Sequence, residues 1–269
     1  MGFSVLMSVY AREKSGYLKE ALESIISQTL PPDEIVLIED GPLTVELEGV
    51  IEDYKRKYPY LHTFRFEKNV QLGRALAKGV ELCANELIAR MDTDDIAVPD
   101  RFEQQYTYMM EHSEIAVCGG WMEEFNDSGT YLKVKRMPEH GADLYCYAKY
   151  RNPLNHMTVM FRKSAVIDAG NYCHFPYLED YHLWSRILVK QGQICNVPKV
   201  LVRMRNNDNV YERRGGISYC GQYLRLRNLQ KRIGLLNTRE WIVASVITLQ
   251  MTLSPTFVRK FVYRKILRK

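Results

Sequence analysis

Along the first 110 positions two apolar rhythms alternate. Short β-branched runs at 4–9, 34–38, 62–66 and 87–91 are each followed by apolar residues at helical spacing, at 17–28, 45–57, 72–83 and from about position 99. The runs predict strands and the wider spacing predicts amphipathic helices. Strands that alternate with helices predict the α/β class, a mostly parallel sheet covered on its faces by helices. In such sheets ligands collect at the carboxyl ends of the strands. Asp40 and the run from Asp92 to Asp95 stand at two of those ends. After Met110 the rhythm shortens. Strands are predicted at 115–118, 130–134 and 157–161, with turns such as Asn126-Asp127-Ser128-Gly129 between them, then a helix at 179–190 and a strand at 199–204. Beyond position 205 the pattern is helical and basic to the end.

Composition narrows the classes. A chain of 269 residues, 46% hydrophobic, is long and apolar enough for a packed core. Its net charge of +5 is unevenly spread: residues 201–269 hold 15 Lys and Arg against Asp208, Glu212 and Glu240, which leaves the first 200 residues at −7. An acidic body with a basic tail predicts a cation site and an anionic surface as partners, and argues against nucleic acid. The six cysteines contain no C-x-x-C pair, so buried free thiols are expected rather than a zinc or redox site. The first ten residues lack the features of a signal peptide, and a cytoplasmic body is expected.

The sharpest chemical signal is Arg90-Met91-Asp92-Thr93-Asp94-Asp95, three carboxylates within four positions directly after an apolar run. Like charges this close raise one another's pKa unless a cation joins them. Oxygen-only ligands suit Mg²⁺ or Mn²⁺, which also binds a diphosphate and neutralises it as it leaves. The plain alternative is a solvated acidic turn before a helix. Glu39-Asp40-Gly41 ends the second strand in a comparable way. A carboxylate there can accept from a nucleobase imide or a ribose hydroxyl, while Gly41 lets the backbone turn.

At this point the chain resembles glycosyltransferase family 2, with its GT-A type fold, over roughly residues 3–205. The resemblance rests on six motifs in order: Ser4-Val5-Leu6-Met7-Ser8-Val9-Tyr10, Ser24-Ile25-Ile26-Ser27-Gln28-Thr29, Glu39-Asp40-Gly41, the stretch 69–73, Asp92-Thr93-Asp94-Asp95 with Pro99-Asp100-Arg101-Phe102, and Leu178-Glu179-Asp180-Tyr181-His182-Leu183-Trp184. It implies a catalytic domain at 1–205, with a nucleotide-binding half at 1–110 and an acceptor half at 111–205. It also implies that Asp40 meets uracil, that Tyr10 and Glu13 line the same pocket, and that Asp92 lies near the ribose while Asp94, with Asp92, holds the metal. Asp180 falls on the family's general base, with Glu179 orienting it or meeting the acceptor. Gly73 and Arg74 are assigned to the donor side.

Two departures stand out. Tyr10-Ala11 replaces the Tyr-Asn common in relatives. Val202-Arg203-Met204-Arg205 replaces their Tyr-Arg-x-His, which removes a metal ligand and leaves Arg205 as a cation for the diphosphate or as a surface arginine. His156 is a candidate for the acceptor side, or a structural histidine. Trp121 and Trp184 are candidate sugar platforms, although both adjoin apolar runs.

The region 206–269 is expected to associate with membranes. Residues 241–253 are uncharged but too few to span a bilayer, for which about 20 are needed. Phe257, Val258, Phe261, Val262, Ile266 and Leu267 then recur at helical spacing among basic residues, the composition of a helix lying in an anionic interface. Docking on the protein's own core is the alternative. Together the readings predict a metal-dependent, inverting transferase that moves a sugar from a nucleotide diphosphate donor, a UDP-sugar, and forms a β linkage. By the same resemblance the acceptor is a polyprenyl-diphosphate-linked sugar of bacterial surface polysaccharide, at the inner face of the cell membrane. The rivals are a sugar-phosphate nucleotidyltransferase, whose glycine-rich loop is missing at Tyr10-Ala11-Arg12-Glu13, and a non-catalytic, membrane-docked nucleotide-sugar-binding protein.

Overall fold

The first strand, β1 (Phe3–Val9), is buried along almost its whole length, as a strand covered on both faces must be. Val5, Met7 and Val9 enter one core and Leu6 the other, because successive side chains leave a strand on opposite faces. Parallel to β1 lie β2 (Glu34–Glu39) on one side and β4 (Leu87–Arg90) on the other, with β3 (Leu61–Arg65) outside β2. The computed structural model describes residues 2–206, 215–255 and 258–259.

Helices cover both faces. The first core receives Leu18, Leu22 and Ile25 of α1 (Ser15–Ile26), Leu47 and Ile51 of α2 (Val45–Lys57), and Phe102 and Met109 of α4 (Arg101–Glu111). The second receives Leu76 and Val80 of α3 (Leu72–Leu82) and Leu183, Trp184 and Ile187 of α7 (Glu179–Val189). In α2 the local signals agree: the Thr44 hydroxyl caps the Leu47 N–H, acidic residues open the helix and Lys55, Arg56 and Lys57 close it.

The remaining strands are β5 (Ile96–Ala97), β6 (Ile115–Phe125), β7 (Tyr131–Lys135), β8 (Met160–Arg162) and β9 (Gln193–Arg205). Among the described residues they complete one sheet in the order β3-β2-β1-β4-β8-β6-β9-β5, with β7 beside β6. β8 runs antiparallel to both β4 and β6, so a single sheet carries both halves of the chain. The long pair β6 and β9 is parallel and shifts register where Gly120 meets Val197 and Trp121 meets Val200. The shift absorbs Pro198, which has no N–H for the ladder.

Three elements differ from those expected. The run 157–161 divides into a 3₁₀ turn (His156–Thr158) and β8. Two helices were not anticipated: α5 (Gly141–Tyr150), which buries only Leu144 and Ala148, and α6 (Lys163–Asp168), only six residues long. Cys146 is exposed and Cys173 half-buried, whereas Cys83, Cys118, Cys195 and Cys220 are the expected buried thiols.

The basic region begins as a helical pair docked on the body, α8 (Ile217–Arg232) and α9 (Thr238–Leu253). Leu226 of α8 packs against Leu178 and Tyr181, and an ion pair of 2.6 Å joins Lys149 of α5 to Glu240 of α9. No helix among the described residues is long and apolar enough to cross a membrane. The predicted interfacial helix falls on residues of which only Val258 and Arg259 are described; Phe257, Phe261, Val262, Ile266 and Leu267 lie outside.

Candidate active site

Four strand ends meet at one cavity of about 470 Å³. Tyr10 and Glu13 reach it from the end of β1, Asp40 from β2, and Asp92, Thr93, Asp94 and Asp95 from β4, with Arg205 from the end of β9. Of the residues singled out from sequence, Tyr10, Glu13, Asp40, Asp92, Asp94 and Arg205 are therefore neighbours.

Asp40 is almost fully buried. Its Oδ1 accepts the Val70 N–H at 2.6 Å and its Oδ2 accepts Asn69 Nδ2 at 3.0 Å. Burial raises its pKa, and hydrogen bonds from the Val70 and Gln71 backbone oppose the rise. A carboxylate has about four acceptor positions, so two donors leave it capacity for a ligand. Gly41 turns the chain at φ +95°, and a Cβ there would lie 2.7 Å from the Asn69 amide nitrogen. The base-side wall thus depends on a residue without a side chain.

In the acidic cluster each carboxylate has a different setting. Asp92 takes both ends of the Arg90 guanidinium, one hydrogen bond measuring 2.6 Å. Arg90 is buried; burial works against its charge and Asp92 more than offsets that. Asp94 is pushed up to about 7 by burial and by the charges of Asp92 and Glu13. Asp95 is raised well above the carboxylate range by burial and by Asp94 and Asp92. Its Oδ1 accepts the Arg205 N–H at 2.9 Å, while its buried Oδ2 has no hydrogen-bond partner among the described residues. One oxygen from each of the three lies within 4.8 Å of the others. Mutually repelling, all-oxygen donors, two half-buried and one buried with an orphaned atom, fit a hard divalent cation.

Glu13 supports the loop, since its Oε2 accepts the Thr93 hydroxyl at 2.9 Å. Arg205 is buried, so it is not a surface arginine. Its guanidinium is ion-paired with Glu20, lies 3.7 Å from Asp127 and sits 4.0 Å over the Tyr17 ring, and its Nε donates to the Asp94 carbonyl. It thus lines the cavity with its charge met by Glu20 and Asp127.

A second carboxylate pair opens α7. Glu179 is buried and pushed up to about 7, first by that burial and then by Asp180. Asp180 is half-buried and raised by desolvation; Asn152 Nδ2 and the Tyr181 N–H, at 2.7 Å, donate to its two oxygens and oppose the rise. Arg90 acts electrostatically on Asp92, Asp94 and Asp95 and also on Glu179 and Asp180. One buried guanidinium therefore exerts its field on both acidic sets. Sequence reasoning assigned it nothing. The signal was present, because Arg90 and Asp92 are two positions apart at a strand end and so share a face.

Among the remaining candidates, Gly73, Arg74, Trp184 and His156 also do not line this cavity. A Cβ on Gly73 would come within 2.3 Å of the Cys173 carbonyl oxygen, so this glycine lets α3 lie against the segment leading to Glu179 and does not face the donor side. Arg74 is exposed and does not line the cavity. Trp184 is completely buried against His156 and Tyr172 and has no face to offer a sugar. His156 is half-buried and bonds the Tyr172 hydroxyl at 2.9 Å, and desolvation, then Arg90, holds its pKa well below the usual histidine value, which keeps it neutral.

Residues 4–172 match the family described as Glycosyl transferase family 2. The chain is 40% identical to the amylovoran biosynthesis glycosyltransferase AmsE of Erwinia amylovora over 98% of each chain. It is 34% identical to the UDP-Gal:alpha-D-GlcNAc-diphosphoundecaprenol beta-1,3-galactosyltransferase of Escherichia coli, over 99% of this chain and 97% of that one. Among solved structures, S. aureus TarS 1-349 in complex with UDP-GlcNAc superposes with a TM-score of 0.72 at 17% identity, covering 99% of this chain and 76% of that one. At that identity the likeness establishes the GT-A type fold.

Proposed function

The chain belongs to glycosyltransferase family 2, and from that premise we propose that it is a metal-dependent, inverting hexosyltransferase that uses a uridine diphosphate sugar. The observation that carries the reading is the cavity where Asp40 and the Asp92, Asp94 and Asp95 cluster meet at three adjacent strand ends. Asp40 is the hydrogen-bond acceptor for the uracil imide, with Tyr10 and Glu13 on the same wall. Asp94, with Asp92 or Asp95, would hold Mn²⁺ or Mg²⁺, which supplies compensation for the diphosphate's charge.

Asp180 is the general base. It takes the proton of the acceptor hydroxyl as that oxygen bonds the anomeric carbon and the carbon's bond to the diphosphate breaks. One displacement without an enzyme nucleophile inverts the centre and gives a β linkage from an α-linked donor. The galactosyltransferase relative is named for a diphosphoundecaprenol-linked acceptor. This supports a lipid-linked sugar as acceptor here, in assembly of bacterial surface polysaccharide. Nucleotide release from a panel of nucleotide sugars, with and without Mn²⁺, tests the donor side. Uridine diphosphate sugars are expected to be turned over only with metal, and equal or better use of a guanosine diphosphate sugar contradicts the role of Asp40.

A lipid-linked acceptor implies a body at the inner face of the membrane. The support is twofold: Ile242, Val246, Leu249 and Leu253 form a half-exposed apolar stripe on α9, and six Lys and Arg but no carboxylate follow position 256. Each basic residue near an anionic surface contributes about 1 kcal/mol. Deleting residues from 257 onward should therefore weaken binding to phosphatidylglycerol vesicles at least about tenfold, with UDP affinity unchanged. Equal vesicle binding by the truncated and full chains contradicts the membrane role of the tail.

A further inference from the structure

Asp180 also lines a second cavity, of about 390 Å³, between the body and the docked helical pair α8 and α9. Its walls differ in kind from those of the donor cavity. Five tyrosines contribute, from α5, the loop before α7, and α8, while α9 contributes Ile247 and Met251. Three cations, Lys135, Arg151 and Arg227, face a single carboxylate, that of Asp180.

Arg227 is the informative member. It is 1% exposed, yet none of its hydrogen-bond partners is an anion: they are Thr248 Oγ1, the Lys149 and Tyr150 carbonyls, the Tyr181 hydroxyl and Gln230 Oε1. Its Nη2 has an acceptor, Tyr150 O, for only one of its two hydrogens. A guanidinium removed from water without a counter-charge is costly, and proteins keep such groups paired. An anionic ligand would supply that pairing where two further cations and a bed of aromatic and aliphatic side chains line the same cavity.

We propose that this cavity is the carrier pocket of the acceptor and takes an isoprenoid diphosphate. The diphosphate lies against Arg227 and Arg151, and the first isoprene units lie on Tyr219, Tyr223, Ile247 and Met251. The sugar borne by that diphosphate then meets Asp180 from this cavity, while the donor occupies the one lined by Asp40 and Asp94. The proposal rests on the reading of the chain as a transferase to a lipid-linked acceptor, and it assigns to the docked helices a substrate-binding role within that reaction. It also explains why α9 keeps Ile247 exposed beside Thr248 of the buried seam: the rim of the pocket is the place where hydrocarbon enters.

The test uses the full chain saturated with UDP and Mn²⁺, so that the donor cavity is filled, titrated with farnesyl diphosphate, with farnesol and with inorganic pyrophosphate. Farnesyl diphosphate should bind at least about tenfold more tightly than either of the other two, because it alone offers both the anion and the hydrocarbon. Arg151→Gln, on the half-exposed wall, and Met251→Glu, which sets a carboxylate in the bed of the isoprene units, should each weaken it about tenfold or more with the melting temperature and UDP affinity unchanged. Pyrophosphate binding as tightly as farnesyl diphosphate would make this a plain anion pocket and overturn the proposal. Unchanged affinity in both variants would place the ligand elsewhere and overturn it as well. UDP affinity, read on the same samples, separates the two levels: a protein that binds UDP but not farnesyl diphosphate loses only the carrier pocket, and one that binds neither loses the transferase reading.

Discussion

Replacing Asp94 by alanine is expected to abolish metal-dependent nucleotide binding. In the metal-free protein Asp94 is pushed up to about 7 by burial, Asp92 and Glu13, so ionised Asp94 is a destabilised charge that a divalent cation would relieve. The same cation would offset the diphosphate, and alanine removes its ligand. Loss of groups that merely orient a metal ligand costs about 10- to 100-fold, so loss of a ligand itself should cost at least about 100-fold in UDP affinity with Mn²⁺ present. With a chelator present the wild type and the variant should bind UDP equally weakly. Calorimetric titration with and without Mn²⁺ reads both arms, and a retained Mn²⁺ dependence in the variant sinks the assignment. The sign of the accompanying stability change is fixed. A carboxyl raised in the folded state binds more protons there than in the unfolded chain, so the metal-free wild type loses stability as pH rises from the ordinary 3.8 to about 7. The alanine variant lacks that contribution, and its melting temperature should fall less across this interval.

Much of this site was legible because strand ends are legible. Buried β-branched runs fix where β1, β2 and β4 stop, and topology then brings the residues that follow them together, as it does Tyr10, Asp40 and Asp92. What escaped was decided by neighbours distant in sequence. Trp184 and Arg205 carry the residue types of a sugar platform and a phosphate clamp, but Trp184 is enclosed by the core and Arg205 is taken by Glu20, 185 positions away. Asn152, which donates to Asp180, is 28 positions from it and stands in no motif. The full length of β9 was hidden by Pro198, tolerated only because the partner strand shifts register there. α5 was missed because a helix that buries just Leu144 and Ala148 has almost no apolar period to detect. The docked pair α8 and α9 read as a basic tail, since the charges are visible in sequence and the seam against α7 is not.

The central claim is a single displacement with Asp180 as the base, and the most direct measurement is sugar transfer by Asp180→Asn beside its affinity for UDP and Mn²⁺. The carboxylate accepts from Asn152 with one oxygen and from the Tyr181 N–H with the other. An amide can accept at only one of these positions, so the variant forgoes one hydrogen bond, about 1 kcal/mol, and should still fold. Asp40, Asp92, Asp94 and Asp95 line the other cavity, so nucleotide affinity should stay within about twofold, while transfer falls by about 10² to 10⁴ because the amide cannot take the proton. The wild-type rate should lose activity on the acid side at a pH above the ordinary aspartate value of 3.8, since burial raises Asp180. Glu179→Gln should keep that limb and more than about a tenth of the rate. The contradictory result is equally plain: Asp180→Asn retaining more than about a tenth of wild-type transfer, with Glu179→Gln inactive, would make Glu179 the base and Asp180 a support for the first turn of α7.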